Sequence, residues 1–182
     1  MKLVEADILF VPGLGNSGPG HWQRRWHGKF PHATWVEQKN WNRPTPDEWS
    51  AALHKAILMA TRPVILIGHS LGNHAITRTA ANLTDTKVRG ALLVSPPDLD
   101  NPNVPKETAT FRPASRDPLP FPTLLTVSDN DPYCTIDAAG DLANCWGSEL
   151  HVAREAGHIN LDSGHGLWPD GLMMLGRLLK RA

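Results

Sequence analysis

The run Val64-Ile-Leu-Ile67 leads directly into Gly68-His-Ser-Leu-Gly72, so four apolar residues end in a G-x-S-x-G element centred on Ser70. A buried strand that stops in such an element and resumes as a helix makes a sharp turn, which lifts one hydroxyl clear of the sheet. Glycines at 68 and 72 fit that turn because larger side chains there would collide with the neighbouring strand and helix. Ser70 is therefore the candidate nucleophile. The plainer alternative is a strand-to-helix connection with an incidental serine.

A serine hydroxyl is a weak nucleophile at neutral pH. It needs an imidazole to take its proton and a carboxylate to orient that imidazole. After a strand-elbow-helix these partners follow the serine in the order acid, then histidine, which confines the search to residues beyond 70. For the base, His158 lies in Ala156-Gly-His-Ile-Asn160, just past the last expected strand, where a loop at the strand's carboxyl end reaches back to the elbow. His165, in a glycine-flanked turn, is the rival; His74 belongs to the helix after the elbow and His151 to a strand. For the acid, Asp131 in Ser128-Asp-Asn-Asp-Pro132 follows the strand Thr123 to Val127, with Asp129 and Asp98 as alternatives. An Asx-type turn is the plainer use of that acidic loop.

Acyl chemistry also needs N–H donors for a developing oxyanion. One comes from the residue after the nucleophile, Leu71. A second is expected from the glycine-rich loop Val11-Pro-Gly-Leu-Gly-Asn-Ser-Gly18, where Leu14 is the nominee. That loop has neither the G-K-[ST] ending of a P-loop nor the G-x-G-x-x-G spacing of a dinucleotide loop, which argues against phosphate binding. Tyr133 and Trp168, with Leu14, are the expected pocket-lining residues.

These groups need a rigid frame. Apolar, β-branched runs alternate with helical periodicity, the pattern of a parallel sheet covered on both faces. Strands are expected at Ile8 to Val11, Thr34 to Glu37, Val64 to Ile67, Val88 to Val94, Thr123 to Val127 and Glu149 to Val152. Helices are expected over Pro46 to Ala60 with Thr45 as cap, Leu71 to Leu83, Ile136 to Trp146, and a C-terminal stretch lined by Trp168, Leu172, Leu175 and Leu179. Between Ser95 and Pro122, eight of 28 residues are proline. That density excludes packed helices, and so a cap domain, and leaves either a surface loop or a semi-rigid rim over the site.

At 182 residues the chain suits one domain spanning 1–182. Its 18 basic and 18 acidic residues balance without a basic stripe, so nucleic acid is not an expected partner. No stretch approaches the roughly 18 apolar residues of a membrane span, and the expectation is a soluble, cytoplasmic protein. Cys134 and Cys145 lack C-x-x-C spacing and read as reduced thiols. His151, His158 and His165 recur every seven residues, which is not a compact ligand spacing, so neither metal nor cofactor is expected. Seven tryptophans stand against four phenylalanines and one tyrosine; Trp22 and Trp26 share a helical face and suit either packing or an aromatic contact surface.

Val11-Pro-Gly-Leu-Gly-Asn-Ser17, Gly68-His-Ser-Leu-Gly72, Ser128-Asp-Asn-Asp-Pro-Tyr-Cys134 and Gly157-His-Ile-Asn160 occur in this order. By them the chain resembles, over nearly its whole length, the small α/β-hydrolase family of bacterial YdeN and retinoblastoma-binding protein 9. The resemblance implies an α/β-hydrolase fold without a cap: a mostly parallel six-stranded sheet with helices on both faces. It also implies Ser70, Asp131 and His158 as nucleophile, acid and base, and esterase-like or aminopeptidase-like cleavage of a small ester, thioester or amide. The L-x-C-x-E element that the animal member uses for retinoblastoma protein is missing around both cysteines. The alternative function is a catalytically silent binding protein on the same fold. Oligomeric state stays open.

Overall fold

The computed structural model describes residues 1–83 and 87–182. Its elements run β1 (Asp7–Val11), α1 (Trp22–His27), β2 (Ala33–Trp35), α2 (Pro46–Met59), β3 (Val64–His69) and α3 (Leu71–Ala80). They continue as β4 (Val88–Val94), β5 (Thr123–Ser128), α4 (Ile136–Trp146), β6 (Glu149–Ala153) and α5 (Pro169–Leu179). The six strands form one sheet in the order β2-β1-β3-β4-β5-β6, every pair parallel. Chain order reverses between β1 and β3, and in open parallel sheets such a reversal opens a crevice at the strands' carboxyl ends.

Alternation along the strands divides the core between the two faces. Leu9, Val11, Leu66, Leu93 and Leu125 pack beneath Trp49 and Leu53 of α2, Leu71 and Ile76 of α3, and Trp146 of α4. Ile8, Phe10, Ile65, Ile67, Leu92 and Leu124 face Trp22 and Trp26 of α1 and Leu175 and Leu178 of α5. β1, β3 and β5 are buried throughout, and so is β4 apart from exposed Arg89. Their near-continuous apolar runs follow from having helices on both sides. Among the described residues no helix is long and apolar enough to cross a membrane.

Several local expectations shift. β2 covers 33–35 rather than 34–37, an edge strand only three residues long. α3 ends at Ala80, because Asn82 and Leu83 donate to Thr79 and Ala80 in tightened i to i−3 turns. Thr45 occupies the N-cap of α2, but its hydroxyl donates to the Glu48 carboxylate at 2.7 Å instead of accepting a backbone N–H. In α5 the inward stripe is Gly171, Leu175 and Leu178, and Leu172 turns outward. The Trp168 ring lies over Gly171, where a Cβ would stand 2.2 Å from it.

Residues 95–122 hold one short 3-10 helix, Lys106–Phe111, and loops. Leu99, Phe111 and Phe121 anchor the segment in the core.

Candidate active site

Ser70 is the hinge residue between β3 and α3, at φ 53° and ψ −129°, a region that costs a non-glycine residue about 1–3 kcal/mol. Its surroundings over-determine it. The Ser70 N–H donates to the Val94 carbonyl at 3.0 Å. The Asn73 amide donates to the carbonyls of Ser70 and Val94 at 3.0 and 2.7 Å, while its oxygen accepts from Val94 N–H at 3.3 Å. The glycines are sterically required: a Cβ on Gly72 would lie 2.1 Å from the Val11 carbonyl oxygen, and one on Gly68 2.4 Å from Asn73 Oδ1.

The elbow points Ser70 Oγ at His158, whose Nε2 is 2.9 Å away. On the other edge of the ring, Nδ1 faces both carboxylate oxygens of Asp131, at 2.9 and 3.0 Å. A carboxylate accepts only, so Nδ1 carries the proton and Nε2 is free to accept from the serine hydroxyl. Asp131 Oδ1 also accepts the Tyr133 N–H at 3.0 Å, and the Tyr133 ring stands edge-on to His158 with centroids 4.7 Å apart. Both Asp131 and His158 are buried.

His69 packs on the other side of His158, with its Nε2 3.0 Å from the His158 carbonyl. Full burial holds the His69 pKa well below the usual imidazole range, with His21 and His158 adding to the effect. It is therefore a neutral ring donating Nε2–H to that carbonyl. His21 caps α1 by accepting the Gln23 N–H at Nδ1, and burial first, then neighbouring His158 and His165, lowers its pKa to about 4.

The loop after β1 closes the site from the opposite side. Gly13 backs directly onto the elbow: a Cβ there would lie 2.7 Å from Ser70 Cβ and 3.1 Å from the Leu71 nitrogen. Leu71 is the first residue of α3, so its N–H has no intrahelical acceptor. Leu14 follows Gly13 and lines the same cleft, a hollow of about 300 Å³ that also contains Ser70, Tyr133, His158 and His21. Pro97, Pro105 and Thr108 form part of its wall, so the proline-rich segment reaches the site as a rim.

The alternatives have other uses. Asp129 accepts the Glu155 N–H at 2.6 Å, and Asp98 accepts the Asp100 N–H at 3.1 Å in an Asx turn. His165 Nδ1 meets the Ser163 hydroxyl, and His74 Nε2 the Pro97 carbonyl. His151, His158 and His165 do not converge; among the described residues no group of three or more His, Cys, Asp or Glu is placed to hold a metal. Trp168 is a correction. It is absent from the cleft and buried against both Trp22 and Trp26, with ring centroids 4.7 and 5.6 Å away. Burial of this large ring against α1 outweighs exposure at a pocket mouth. Cys134 is a packed thiol, pushed up to about 12 chiefly by burial.

Sequence reasoning passed over His21 and Ser17 in the cleft wall, and the supports of the loop that carries His158. The available signal was Gly18-Pro-Gly-His-Trp22, in which Gly20 leaves room for the Leu161 side chain, 3.0 Å from where its Cβ would stand. Three residues around His158 have left-handed backbone, Glu155 at φ 49°, Gly157 at 58° and Ile159 at 45°. For β-branched Ile159 that is a genuine outlier, held by complete burial and by the Trp22 Nε1–H bond to its carbonyl at 2.9 Å.

A parallel sheet whose strand order reverses beside a serine elbow, with an imidazole and a carboxylate aligned on that serine, defines an α/β-hydrolase. The chain belongs to the serine hydrolase family, whose model matches residues 8–177. A YdeN-like hydrolase from Pectobacterium atrosepticum is 34% identical, with 96% of this chain and 90% of that one covered at a TM-score of 0.84. The ydeN gene product of B. subtilis is 20% identical, with 95% and 98% covered at 0.78. A monoacylglycerol lipase of Paleococcus ferrophilus, 14% identical with 96% and 94% covered at 0.69, shares the fold. A comparison with curated proteins found no significant match. Family membership makes the protein a hydrolase.

Proposed function

We propose that the protein cleaves a small ester, thioester or amide through an acyl-enzyme on Ser70. The observation that carries this reading is the unbroken relay from Ser70 Oγ through His158 to Asp131, with every separation between 2.9 and 3.0 Å. Ser70 Oγ attacks the substrate carbonyl carbon as His158 Nε2 takes its proton. The carbonyl electron pair moves onto oxygen, which the N–H groups of Leu71 and Leu14 receive. Each such donor contributes on the order of 3 kcal/mol to the transition state. Collapse of the tetrahedral species expels the alcohol, thiol or amine, protonated by His158. Water then attacks the Ser70 ester, His158 again takes the proton, and the acid is released as Ser70 is restored. Asp131 keeps the proton on Nδ1 and stabilises the imidazolium that forms in each half-reaction. Tyr133 and Leu14 border the acyl group, and a hollow of about 300 Å³ limits its size.

A fluorophosphonate probe, followed by hydrolysis of p-nitrophenyl esters of graded length beside aminoacyl amides, tests the proposal. The expected result is covalent labelling of the wild type and none of Ser70→Ala, with turnover falling at least about 10³-fold in that variant. The substrate panel then separates the carboxylesterase-like from the aminopeptidase-like subtype. Equal labelling of both proteins, or of neither, would overturn the assignment.

A further inference from the structure

The end of β5 grips the loop that carries His158 residue by residue. Ser128 Oγ accepts the Ala156 N–H at 2.8 Å, Asp129 Oδ1 the Glu155 N–H at 2.6 Å and Asn130 Oδ1 the Gly157 N–H at 2.7 Å. Asp131 completes the series on the imidazole itself. Ser128 Oγ–H also donates to Asn130 Oδ1 at 2.7 Å, which fixes the rotamer of the asparagine. Four consecutive residues thus hold four consecutive residues, in a stretch where the non-glycine Glu155, and Ile159 just beyond, lie at positive φ. Such a backbone persists only where its surroundings impose it.

We infer that Asn130, assisted by Asp129, is a positioning residue for the general base. Through the N–H of Gly157, the residue immediately before the base, it sets how far His158 Nε2 stands from Ser70 Oγ. The inference rests on the reading of Ser70, His158 and Asp131 as a catalytic relay. Two features separate this role from substrate binding and from folding. Asn130 does not line the cleft, so it touches no substrate. Its side chain sits at an exposed position, as does Asp129, where replacement leaves the core intact.

The test is Asn130→Ala, Asn130→Asp and Asp129→Ala in the full chain, read by steady-state ester hydrolysis and by the proton resonance of His158 Nδ1–H. Displacing a reacting group by about 1 Å costs up to about 100-fold. Asn130→Ala should therefore lower kcat by between about tenfold and 100-fold, with KM within twofold. Asn130→Asp keeps the acceptor and should recover most of that loss; Asp129→Ala should lose less than Asn130→Ala. The Nδ1–H resonance, sharp in the wild type, should shift or broaden in Asn130→Ala. A kcat within twofold of wild type, a loss carried by KM, or an Asp variant as impaired as the Ala variant would overturn the role. Should Asn130→Ala not fold, Asn130→Ser, whose shorter side chain withdraws the acceptor from the Gly157 N–H, decides by the same kcat and resonance criteria. Because the resonance needs no turnover, a wild type without esterase activity counts against the catalytic relay, whereas an unmoved resonance counts against Asn130.

Discussion

The two turns that carry Ser70 and His158 both hold residues at positive φ, and they are secured by different means. At the elbow, Ser70 is fixed chiefly by close approach, with the Asn73 amide as a side-chain addition: Gly72 abuts the carbonyls of Val11 and Pro12, and Gly13 abuts Ser70 itself. At the loop that carries His158, Glu155 and Gly157 are fixed by side-chain oxygens of 128–130 that accept their N–H groups and that of Ala156. A steric lock built from backbone is inherited from the register of the sheet, in which Val11 pairs with Gly68 and His69 with Val94. A lock built from side-chain acceptors can be weakened one bond at a time. The position of Ser70 is therefore tied to the fold, and that of His158 to a few side-chain acceptors, of which Asp129 and Asn130 are exposed and Ser128 is buried.

The hardest way to break that contrast is Gly72→Ala. Its Cβ would lie 2.1 Å from one backbone oxygen and 2.6 Å from the next, so β1 or α3 must move. The expected destabilisation is at least about 4 kcal/mol, among the exceptional single-residue effects. That corresponds to a melting temperature lower by about 8 °C or more, or to no folded protein. Gly68→Ala should cost less, because the atoms it meets belong to the Asn73 and Ile76 side chains. Thermal melts of both variants check the order, and a Gly72→Ala protein that melts like wild type would show that the elbow is not sterically locked.

Gly157→Ala probes the other turn and should be milder in stability. It places a Cβ at φ 58°, a penalty of about 1–2 kcal/mol, and brings it 2.7 Å from Ser163 Cβ. The expected outcome is a folded protein, with a melting temperature lower by a few degrees and ester turnover reduced at least about tenfold. Equal damage at 72 and 157 in melting would erase the distinction between the two locks.

How much of this was legible in the sequence follows from the same distinction. The elbow is a contiguous pattern whose physics is local, so Gly68, Ser70 and Gly72 announce themselves, and with them the strand before and the helix after. Chain order and loop position were enough to rank Asp131 and His158 above Asp129 and His165, and the structure brings the first pair to Ser70. Trp168 was misplaced because its environment is made by α1, more than 140 residues earlier in the chain. The grip of 128–130 on 155–157 was invisible for a related reason: its donors are backbone N–H groups, which every non-proline residue carries and no motif records. The ends of β2 and α3 depended on where edge pairing stops and a last turn tightens, which propensity does not decide.

Acid sharpens the comparison without changing either turn, since the elbow is flanked by buried neutral imidazoles at His69 and His74. Burial lowers the His74 pKa from its usual 6.5 to about 4, opposed by its bond to the Pro97 carbonyl and by Asp98. The folded value lies below the unfolded one, so the unfolded chain binds this proton more readily. Its contribution is fully present above pH 6.5 and is lost as pH falls from 6.5 toward 4, at about 1.4 kcal/mol per pH unit. His74→Gln retains an amide donor for Pro97 and removes the titration. Urea unfolding at pH 7.5, 6 and 5 should then show a shallower loss of stability in the variant than in the wild type, by about 1.4 kcal/mol per unit below the unfolded pKa. Parallel lines for the two proteins would mean that His74 takes up its proton in the fold as easily as in the unfolded chain, and that the helix behind Ser70 is less tightly closed than its burial implies.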